Sequence, residues 1–152
     1  EQGYEVTAMD MSEVGLNKAL KLARDRGVDI ITQVADLADY EFGEAKWDGI
    51  VAIWAHLPKA VRQYVHAQIA PALKPNGVFI LEAYTAQQLT MDAVGGPPAP
   101  QRERFGSLAV LRAELAELEE ITGIEKQRMI SEVTSHQGLS AVVQFVAKKT
   151  DS

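Results

Sequence analysis

Two acidic residues stand where strand-like segments end, and each could accept hydrogen bonds from a ligand. Asp10 closes an apolar segment that begins at Tyr4, and Asp36 follows a β-branched segment from Val28 to Val34. A carboxylate offers two oxygens in one plane, so Asp10 could accept both hydroxyls of a ribose and Asp36 an exocyclic amino group such as that of adenine. Neither residue has to bind a ligand. Asp10 could instead be an acidic residue at the start of a helix, where the helix dipole favours a negative charge, and Asp36 could be a solvated acid of a loop.

Three further side chains are candidates for catalysis near later strands. His56 follows an apolar segment and could orient a substrate or take a proton. The alternative is that His56 only forms a hydrogen bond with the backbone at a turn. Glu82 and Tyr84 lie on the strand-like segment before a long loop, and a buried glutamate needs a partner. We interpret His66, within a predicted helix, as structural and His136 as an exposed histidine of the last turn.

The composition argues against several classes of function. The 152 residues, 47% of them hydrophobic, suffice for one domain with its own core over residues 1–152. The formal net charge is -6 and the basic residues are dispersed, so we expect no nucleic-acid partner. The absence of cysteine excludes disulfides and is compatible with a location in the cytoplasm. The histidines lack the spacing of zinc ligands, so no bound metal is expected. No apolar segment reaches the roughly 20 residues of a membrane helix, so we expect a soluble protein with no membrane partner.

Apolar segments separated by helical patterns predict an α/β fold with a parallel sheet. Ser12 is a predicted N-cap and Gly27 a predicted stop, so a helix is expected from Ser12 to Arg26. The near-continuous apolar strands that follow are expected to be buried on both faces. The next predicted elements are a strand over 28–34, a strand from Gly49 to Trp54, a helix from Pro58 to Leu73 that stops at Lys74–Gly77, and a strand from Val78 to Tyr84.

The last third of the chain combines a long loop with two strands. The segment from Gln87 to Gly106 contains GGPPAP and predicts a lid or a disordered loop. A helix is expected from Ser107 until Gly123 ends it. Two strands then follow without a helix between them, over 124–134 and 139–148, so they must pair antiparallel.

Several short motifs follow one another along the chain. They are GYEVTAMD, then S-x-x-G-L-x-K-A from Ser12, then DL at 36–37, IWAHLP, LKPNG and FILEAYT. This succession resembles the class I S-adenosylmethionine (SAM) dependent methyltransferases, most of all their small tellurite-resistance type branch, from Tyr4 to about Lys148. The resemblance implies a Rossmann-like, mostly parallel sheet flanked by helices, with an antiparallel C-terminal strand.

The resemblance also implies that SAM is the cofactor. The residues that would contact it are Asp10, Met11, Asp36, Leu37, Ala55 and His56. Asp10 would hold the ribose and Met11 would pack on the adenine. Asp36 and Leu37 would contact the base, and the segment from Ala55 to Leu57 would lie beside the methionine portion.

One part of the family pattern is missing. We find no strand before GYEVTAMD with an acidic residue and the G-x-G loop that lets the backbone approach the methionine end of the cofactor. Gly95 and Gly96 lie in a Pro-rich segment and cannot replace that loop. The chain begins with Glu1 rather than Met, so we expect an upstream segment. Because the missing strand is the middle one of the family's sheet, we expect exposed strand edges and a homodimer in which a neighbouring chain fills the gap.

Methyl transfer from a sulfonium is an in-line displacement, so alignment of the nucleophile and exclusion of water supply most of the rate gain. Few catalytic side chains are expected. The resemblance suggests a small-molecule acceptor, a chalcogen oxyanion or a soft sulfur-like nucleophile. Two alternatives stay open: a catalytically inactive, dimeric binding or scaffold domain, which the missing glycine loop favours, and a nicotinamide-dependent oxidoreductase, which fits Asp10 but not the two consecutive C-terminal strands.

Overall fold

The computed structural model describes residues 1–132 and 136–151 and divides into two compact units, Glu1–Tyr40 and Glu41–Ser152. Each unit has its own sheet, one of two strands and one of four. The single domain expected from the sequence stays a prediction.

The first unit is a βαβ element. Its parts are β1 (Thr7–Asp10), α1 (Glu13–Asp25) and β2 (Ile31–Val34), and the two strands pair in parallel. The helix begins as predicted, because the Oγ of Ser12 accepts the backbone N–H of Gly15 at 3.0 Å. It ends before Gly27, whose φ of +65° is the left-handed conformation that glycine adopts at little cost.

Strand β2 is not buried on both faces, so that prediction is wrong. Ile31 is 52% exposed and Val34 is 59% exposed. Within residues 1–40, all of which the structure describes, α1 is the only helix, and it packs against both strands. Because side chains alternate between the two faces of a strand, Ile31 and Val34 lie on opposite faces of β2, so each face has an exposed apolar side chain.

The second unit is a four-stranded mixed sheet with helices. Its main elements are β3 (Trp47–Ile53), α2 (Lys59–Ala72), β4 (Leu73–Tyr84), α3 (Leu108–Glu114), β5 (Glu119–Ser131) and β6 (Gln137–Lys148). The strand order is β3-β4-β6-β5, with β3 and β4 parallel and β6 antiparallel to both β4 and β5. The predicted α/β fold with parallel strands and an antiparallel C-terminal pair is therefore confirmed. None of the described helices is both long and apolar enough to cross a bilayer.

The core of this unit lies on the two central strands. Phe79 on β4 and Val142, Val143 and Phe145 on β6 are at most 2% exposed. Strand β3 lies at the edge of the sheet, and its Val51 is 64% exposed, so the prediction that β3 is buried on both faces is wrong. An edge strand has a neighbour on one side alone, which leaves part of its apolar surface open.

The segment Lys74–Gly77 lies inside β4 rather than between α2 and a later strand, which corrects the predicted turn. Trp47 pairs with Leu73, whereas Gly49 pairs with Val78. Lys74–Gly77 therefore interrupt the regular pairing of β4 with β3. Asn76 takes a left-handed φ of 61° within this segment. The turn residues were identified correctly, but strand pairing continues on both sides of them.

The third helix is shorter than predicted, since α3 ends at Glu114 and Gly123 lies inside β5. A Cβ atom on Gly123 would lie 2.7 Å from the Cδ1 of Leu108. Gly123 therefore allows α3 to approach β5 closely, a role that the sequence does not distinguish from a helix stop.

The segment over 85–106 is ordered rather than a free loop. It contains two short 3₁₀ helices, Ala86–Thr90 and Ala99–Arg104. Val94 and Gln137 exchange two backbone hydrogen bonds of 2.9 and 3.0 Å. The Oε1 of Gln88 also accepts the backbone N–H of Ala141 at 2.9 Å, so the segment is attached to β6 at two places.

A largely buried ion pair joins α2 to α3. Glu114 accepts from the Nε of Arg62 at 3.0 Å and from the Nδ1 of His66 at 2.7 Å. Burial raises the pKa of Glu114, but the hydrogen bonds and charges of Arg62 and His66 outweigh burial and hold the pKa below its ordinary value. A small cavity of about 30 Å³ beside His66 and Glu114 has room for about one water molecule and is too small for a substrate.

Replacement of Glu114 tests this ion pair. We expect Glu114→Ala to lower the free energy of unfolding by about 3 kcal/mol, because a buried guanidinium and imidazole lose their acceptor. Urea denaturation at pH 7 measures the change. Glu117→Ala, an exposed acid three residues further along, is the control, and similar losses in both variants would contradict the assignment.

Candidate functional site

Asp10 and Asp36 lie at the same edge of the first sheet. Asp10 is the last residue of β1 and pairs with Val34, the last residue of β2, so Asp36 follows two residues beyond that point. The backbone N–H of Ala35 also donates to the carbonyl of Asp10 at 3.2 Å. The structure thus brings both predicted carboxylates to the carboxyl ends of two neighbouring parallel strands, the edge at which such sheets bind ligands.

Each of these carboxylates uses one oxygen to shape the local backbone. The Oδ1 of Asp10 accepts the N–H of Ser12, and the Oδ1 of Asp36 accepts the N–H of Ala38, both at 2.8 Å. No hydrogen bond is recorded for either Oδ2 within the described part of the chain, and both residues are exposed. Each residue can therefore perform its local role and still accept a hydrogen bond from a ligand.

Two apolar side chains accompany the carboxylates. Met11 directly follows Asp10 and is 67% exposed, and Leu37 directly follows Asp36 and is half-buried. Carboxylate oxygens next to open apolar side chains fit a nucleoside, which has hydroxyl and amino donors beside a flat ring. The contacts predicted for these four residues stay predictions.

The second unit contains the remaining predicted residues. Ala55 is exposed, whereas His56 is half-buried, and both follow the carboxyl end of β3. Trp54 precedes them with φ of 58°, a left-handed conformation that costs a bulky residue energy. Its backbone N–H donates to the carbonyl of Glu82 at 3.0 Å, so the neighbouring strand holds this conformation.

Both ring nitrogens of His56 are engaged by backbone. Its Nε2 accepts the N–H of Tyr84 at 2.9 Å, so the proton of the neutral ring is on Nδ1, 3.0 Å from the carbonyl oxygen of Trp54. Burial lowers the pKa of His56 to about 4, although the hydrogen bond to Trp54 raises it, and the charge of His136 lowers it further. A neutral ring with two occupied nitrogens favours the backbone-bonding alternative over a proton-transfer role.

His136 belongs to an aromatic cluster, which corrects its interpretation as an exposed turn histidine. Trp54 stacks on Tyr84 with ring centroids 4.5 Å apart and on His136 at 5.4 Å. The Oη of Tyr84 and the Nδ1 of His136 are 2.9 Å apart and share a hydrogen bond. The four rings of the aromatic cluster, Trp54, His56, Tyr84 and His136, are all nearly parallel.

Tyr84 is fully buried, and the Gly95–Gly96 segment packs on its ring. A Cβ atom on Gly95 would lie 2.3 Å from the Oη of Tyr84, and one on Gly96 would lie 3.2 Å from the Cε1 of Phe105. Burial raises the pKa of Tyr84, and the negative charge of Glu132 raises it further, so the phenol keeps its proton. These two glycines therefore form a cover over the aromatic cluster.

Glu82 has the partner that a buried carboxylate requires. The Nε of Arg128 lies 3.1 and 3.2 Å from its two oxygens, and the Nε2 of Gln144 donates to it as well. Arg128 also approaches Glu132 at 3.6 Å, and Glu132 accepts the indole N–H of Trp54 at 2.9 Å. With both oxygens of Glu82 engaged, the geometry favours a role in holding Arg128 over a role as a proton acceptor.

The sequence prediction did not identify Trp54, Arg128 or Gln144. One signal was present, because Glu82 and Gln144 are each a lone polar residue within an apolar strand, and the two pair directly across β4 and β6. Arg128 and Trp54 carry no such signal, since an exposed-looking arginine and a strand-end tryptophan are common. Within the described residues, no group of three or more acidic or histidine side chains is arranged to hold a metal ion.

Comparison with known proteins gives a family match over the first half of the chain. The family described as "Methyltransferase domain" matches residues 1–77 of the 152. No curated protein sequence matches the chain.

Solved structures match nearly the whole chain in fold. A SAM-dependent methyltransferase from Methanosarcina mazei is 16% identical with a TM-score of 0.71, and the match covers 98% of this chain and 84% of that one. TehB from Haemophilus influenzae is 14% identical with a TM-score of 0.72, over 97% of this chain and 51% of that one, so this chain spans about half its length. The N-methyltransferase NodS from Bradyrhizobium japonicum WM9, in complex with S-adenosyl-L-homocysteine, is 14% identical with a TM-score of 0.66, over 95% and 66%. At these identities the similarity establishes the fold.

Gly95→Ala tests the packing of the cover on Tyr84. We expect it to lower the free energy of unfolding by about 3 kcal/mol, because the new methyl group clashes with Tyr84 and the φ of +137° strains a side chain. The control is Gly27→Ala, which has a φ of +65° but nothing within 4 Å of its Cβ, and which should cost about 1 kcal/mol. The free energy of unfolding is measured by thermal or urea denaturation. If both variants lose the same amount, backbone strain alone explains the loss, and the contact of residue 95 with Tyr84 does not contribute.

The buried His56 should make stability depend on pH. Its folded pKa of about 4 lies below the roughly 6.5 of an unfolded histidine, so the unfolded chain binds the proton first on acidification. The stability from neutral His56 is complete above about pH 6.5 and declines as the pH falls to about 4, by roughly 3 kcal/mol. We expect His56→Gln, which cannot titrate, to lose less stability over this range in urea denaturation, and identical pH profiles would contradict the prediction.

Proposed function

Because this chain belongs to the methyltransferase domain family, we propose that it transfers a methyl group from SAM to a small-molecule acceptor. The observation that carries the proposal is the parallel pairing of β1 with β2. This pairing brings Asp10 and Asp36 to one edge of the first sheet, each with an oxygen available for a ligand. Two carboxylates that accept hydrogen bonds at adjacent strand ends match the ribose hydroxyls and the base of a nucleoside cofactor.

Residues of the first unit would hold the nucleoside. Asp10 would accept the ribose hydroxyls through its Oδ2, and Met11 would lie against the adenine. Asp36 would accept the exocyclic amino group, with Leu37 as an apolar contact. Ala55 and His56 are proposed to lie beside the methionine portion. His56 would act there by holding the backbone of Trp54 and Tyr84 in place.

The bound cofactor supplies a methyl group on a sulfonium, whose departure needs no acid. The protein therefore has to position the acceptor and exclude water. The aromatic cluster suits this task, because Trp54 is partly exposed and rigidly held by Glu82, Glu132 and Tyr84. The net charge of -6 and the dispersed basic residues argue for a small acceptor rather than a nucleic acid.

Within the family we propose the tellurite-resistance type branch, on the order of motifs from GYEVTAMD to FILEAYT. The acceptor would then be a chalcogen nucleophile, an oxyanion or a soft sulfur-like group. The aromatic cluster supports a soft atom, since polarizable sulfur makes favourable contacts with ring edges.

Calorimetric titration of the purified chain tests the cofactor site. We expect saturable binding of SAM and a loss of about tenfold in affinity for Asp10→Asn, because the amide oxygen can still accept the N–H of Ser12, but an NH₂ group that cannot accept replaces Oδ2. Asp29→Asn is the control, since Asp29 is an exposed acid of the same unit outside the proposed site. Absence of binding by the folded wild-type chain would contradict the proposal.

The second candidate is a non-catalytic scaffold that pairs with a second copy. Strand β3 ends its sheet and leaves Val51 and Ile53 open, so its edge could accept another strand. Sedimentation of the same samples distinguishes the two candidates. A dimer that binds no SAM supports the scaffold, and SAM binding by a monomer argues against it.

A further inference from the structure

Gly15 lies in the first turn of α1 without either of the usual structural reasons for a glycine. Its φ is helical, and a Cβ atom built on it would lie no closer than 3.4 Å to any other atom, which is ordinary van der Waals contact. Of the eleven glycines of the chain, all of which the structure describes, nine have a positive φ or would place a Cβ atom closer than 3.0 Å to another atom. Because glycine destabilises a helix relative to alanine, the backbone of α1 gives no reason for Gly15.

The space that Gly15 leaves open lies between two polar side chains. A Cβ atom at this position would be 3.4 Å from the Oγ of Ser12 and 3.9 Å from the Oδ2 of Asp10. The carboxylate is held in this orientation, because its Oδ1 accepts the N–H of Ser12 at 2.8 Å. A side chain longer than alanine would start at contact distance from both polar atoms.

The two side chains offer opposite hydrogen-bonding functions. The Oδ2 of Asp10 belongs to a carboxylate, which can only accept. The Oγ of Ser12 accepts the N–H of Gly15 at 3.0 Å, and within residues 1–132 and 136–151 no acceptor is recorded for its own hydrogen. A ligand hydroxyl can donate to the first group and accept from the second, so the space is matched to a hydroxyl.

We propose that Ser12 and Gly15 belong to the cofactor site. A ribose hydroxyl would occupy the space beside Gly15, donate to the Oδ2 of Asp10 and accept the O–H of Ser12. This inference rests on the proposed function and narrows the class of ligand to ribonucleosides with a free hydroxyl. A phosphorylated hydroxyl has no hydrogen to donate and would bring negative charge to Asp10, so the site excludes it.

Variants of Gly15 should change stability and affinity in opposite directions. Gly15→Ala should raise the melting temperature by about 2 °C, because alanine favours the helix. In calorimetric titration with SAM, Gly15→Ala should weaken binding about threefold and Gly15→Leu about tenfold, because the added atoms lie against Oδ2 of Asp10. A lower melting temperature for Gly15→Ala, or SAM binding by Gly15→Leu as tight as in the wild type, would overturn the inference.

Asn17→Leu is the matched control for bulk on α1. Asn17 is exposed and lies two residues beyond Gly15, which places it on the other side of the helix. The control should leave SAM binding unchanged. An equal loss of affinity in Asn17→Leu and Gly15→Leu would show that an apolar side chain anywhere on α1 weakens binding, which contradicts the assignment.

A double variant tests whether position 15 acts through Asp10. Asp10→Asn combined with Gly15→Leu should bind SAM about as weakly as either single variant, because both remove the same contact. If the two losses multiply, the substitution at position 15 acts on another part of the ligand, and the inference is wrong.

Ser12→Gly removes the proposed donor and preserves the helix start, since glycine is tolerated at an N-cap. We expect it to weaken binding of adenosine about fivefold, whereas Ser12→Thr, which keeps the hydroxyl, should bind normally. Titrations with 2′-deoxyadenosine and 3′-deoxyadenosine locate the contact, because one of the two analogues should bind Ser12→Gly and wild type equally. Equal losses with adenosine and both analogues would overturn the contact of Ser12 with a hydroxyl.

The outcomes separate this inference from the proposed function. Wild-type chain that binds SAM, with no loss in the Gly15 and Ser12 variants, would overturn the inference and leave the proposed function standing. Wild-type chain that binds adenosine with the expected losses in those variants, but does not bind SAM, would overturn the proposed function and support the hydroxyl site. A folded wild-type chain that binds neither would overturn both.

Discussion

The hydrogen bonds that lock the carboxyl end of β3 to β4 are the constraint on which the second unit depends. The N–H of Trp54 donates to Glu82, and the N–H of Tyr84 donates to His56, which in turn bonds the carbonyl of Trp54. These hydrogen bonds hold β3 to β4 beyond their last strand pair, Ile53 with Glu82, through a left-handed tryptophan. The left-handed conformation of Trp54 lets its indole stack on Tyr84 and His136.

The local energies explain why a strained tryptophan persists there. A left-handed conformation costs a bulky residue about 1–3 kcal/mol. Stacking on Tyr84 and His136 contributes about 1 kcal/mol for each pair, and the hydrogen bond from the indole to the charged Glu132 contributes about 2 kcal/mol. These terms offset the strain. The same contacts make the site rigid, which suits a reaction whose rate depends on alignment.

Buried charge has a different role in the two parts of the second unit. The ion pair of Arg62 with Glu114 joins α2 to α3. Its hydrogen bonds and charge attraction offset the free-energy cost of removing the two charges from water. The pair of Arg128 with Glu82 lies under the aromatic cluster and connects β4, β5 and, through Gln144, β6. Both pairs engage the carboxylate through several donors, because a buried carboxylate with a free oxygen would be costly.

Local signals determined by themselves what depends on neighbours in sequence: the cap at Ser12, the stop at Gly27, the acids at the ends of β1 and β2, and the antiparallel final strands. Tertiary structure alone decided which apolar strands are covered, because the exposure of β2 and β3 depends on what packs beside them. It also decided that Gly123 makes room for Leu108 and that His136 joins Tyr84 and Trp54. Those outcomes require residues that are not neighbours in sequence to meet, about which periodicity carries no information. For Tyr84 and His136, the antiparallel pairing of β4 with β6 brings the two segments together.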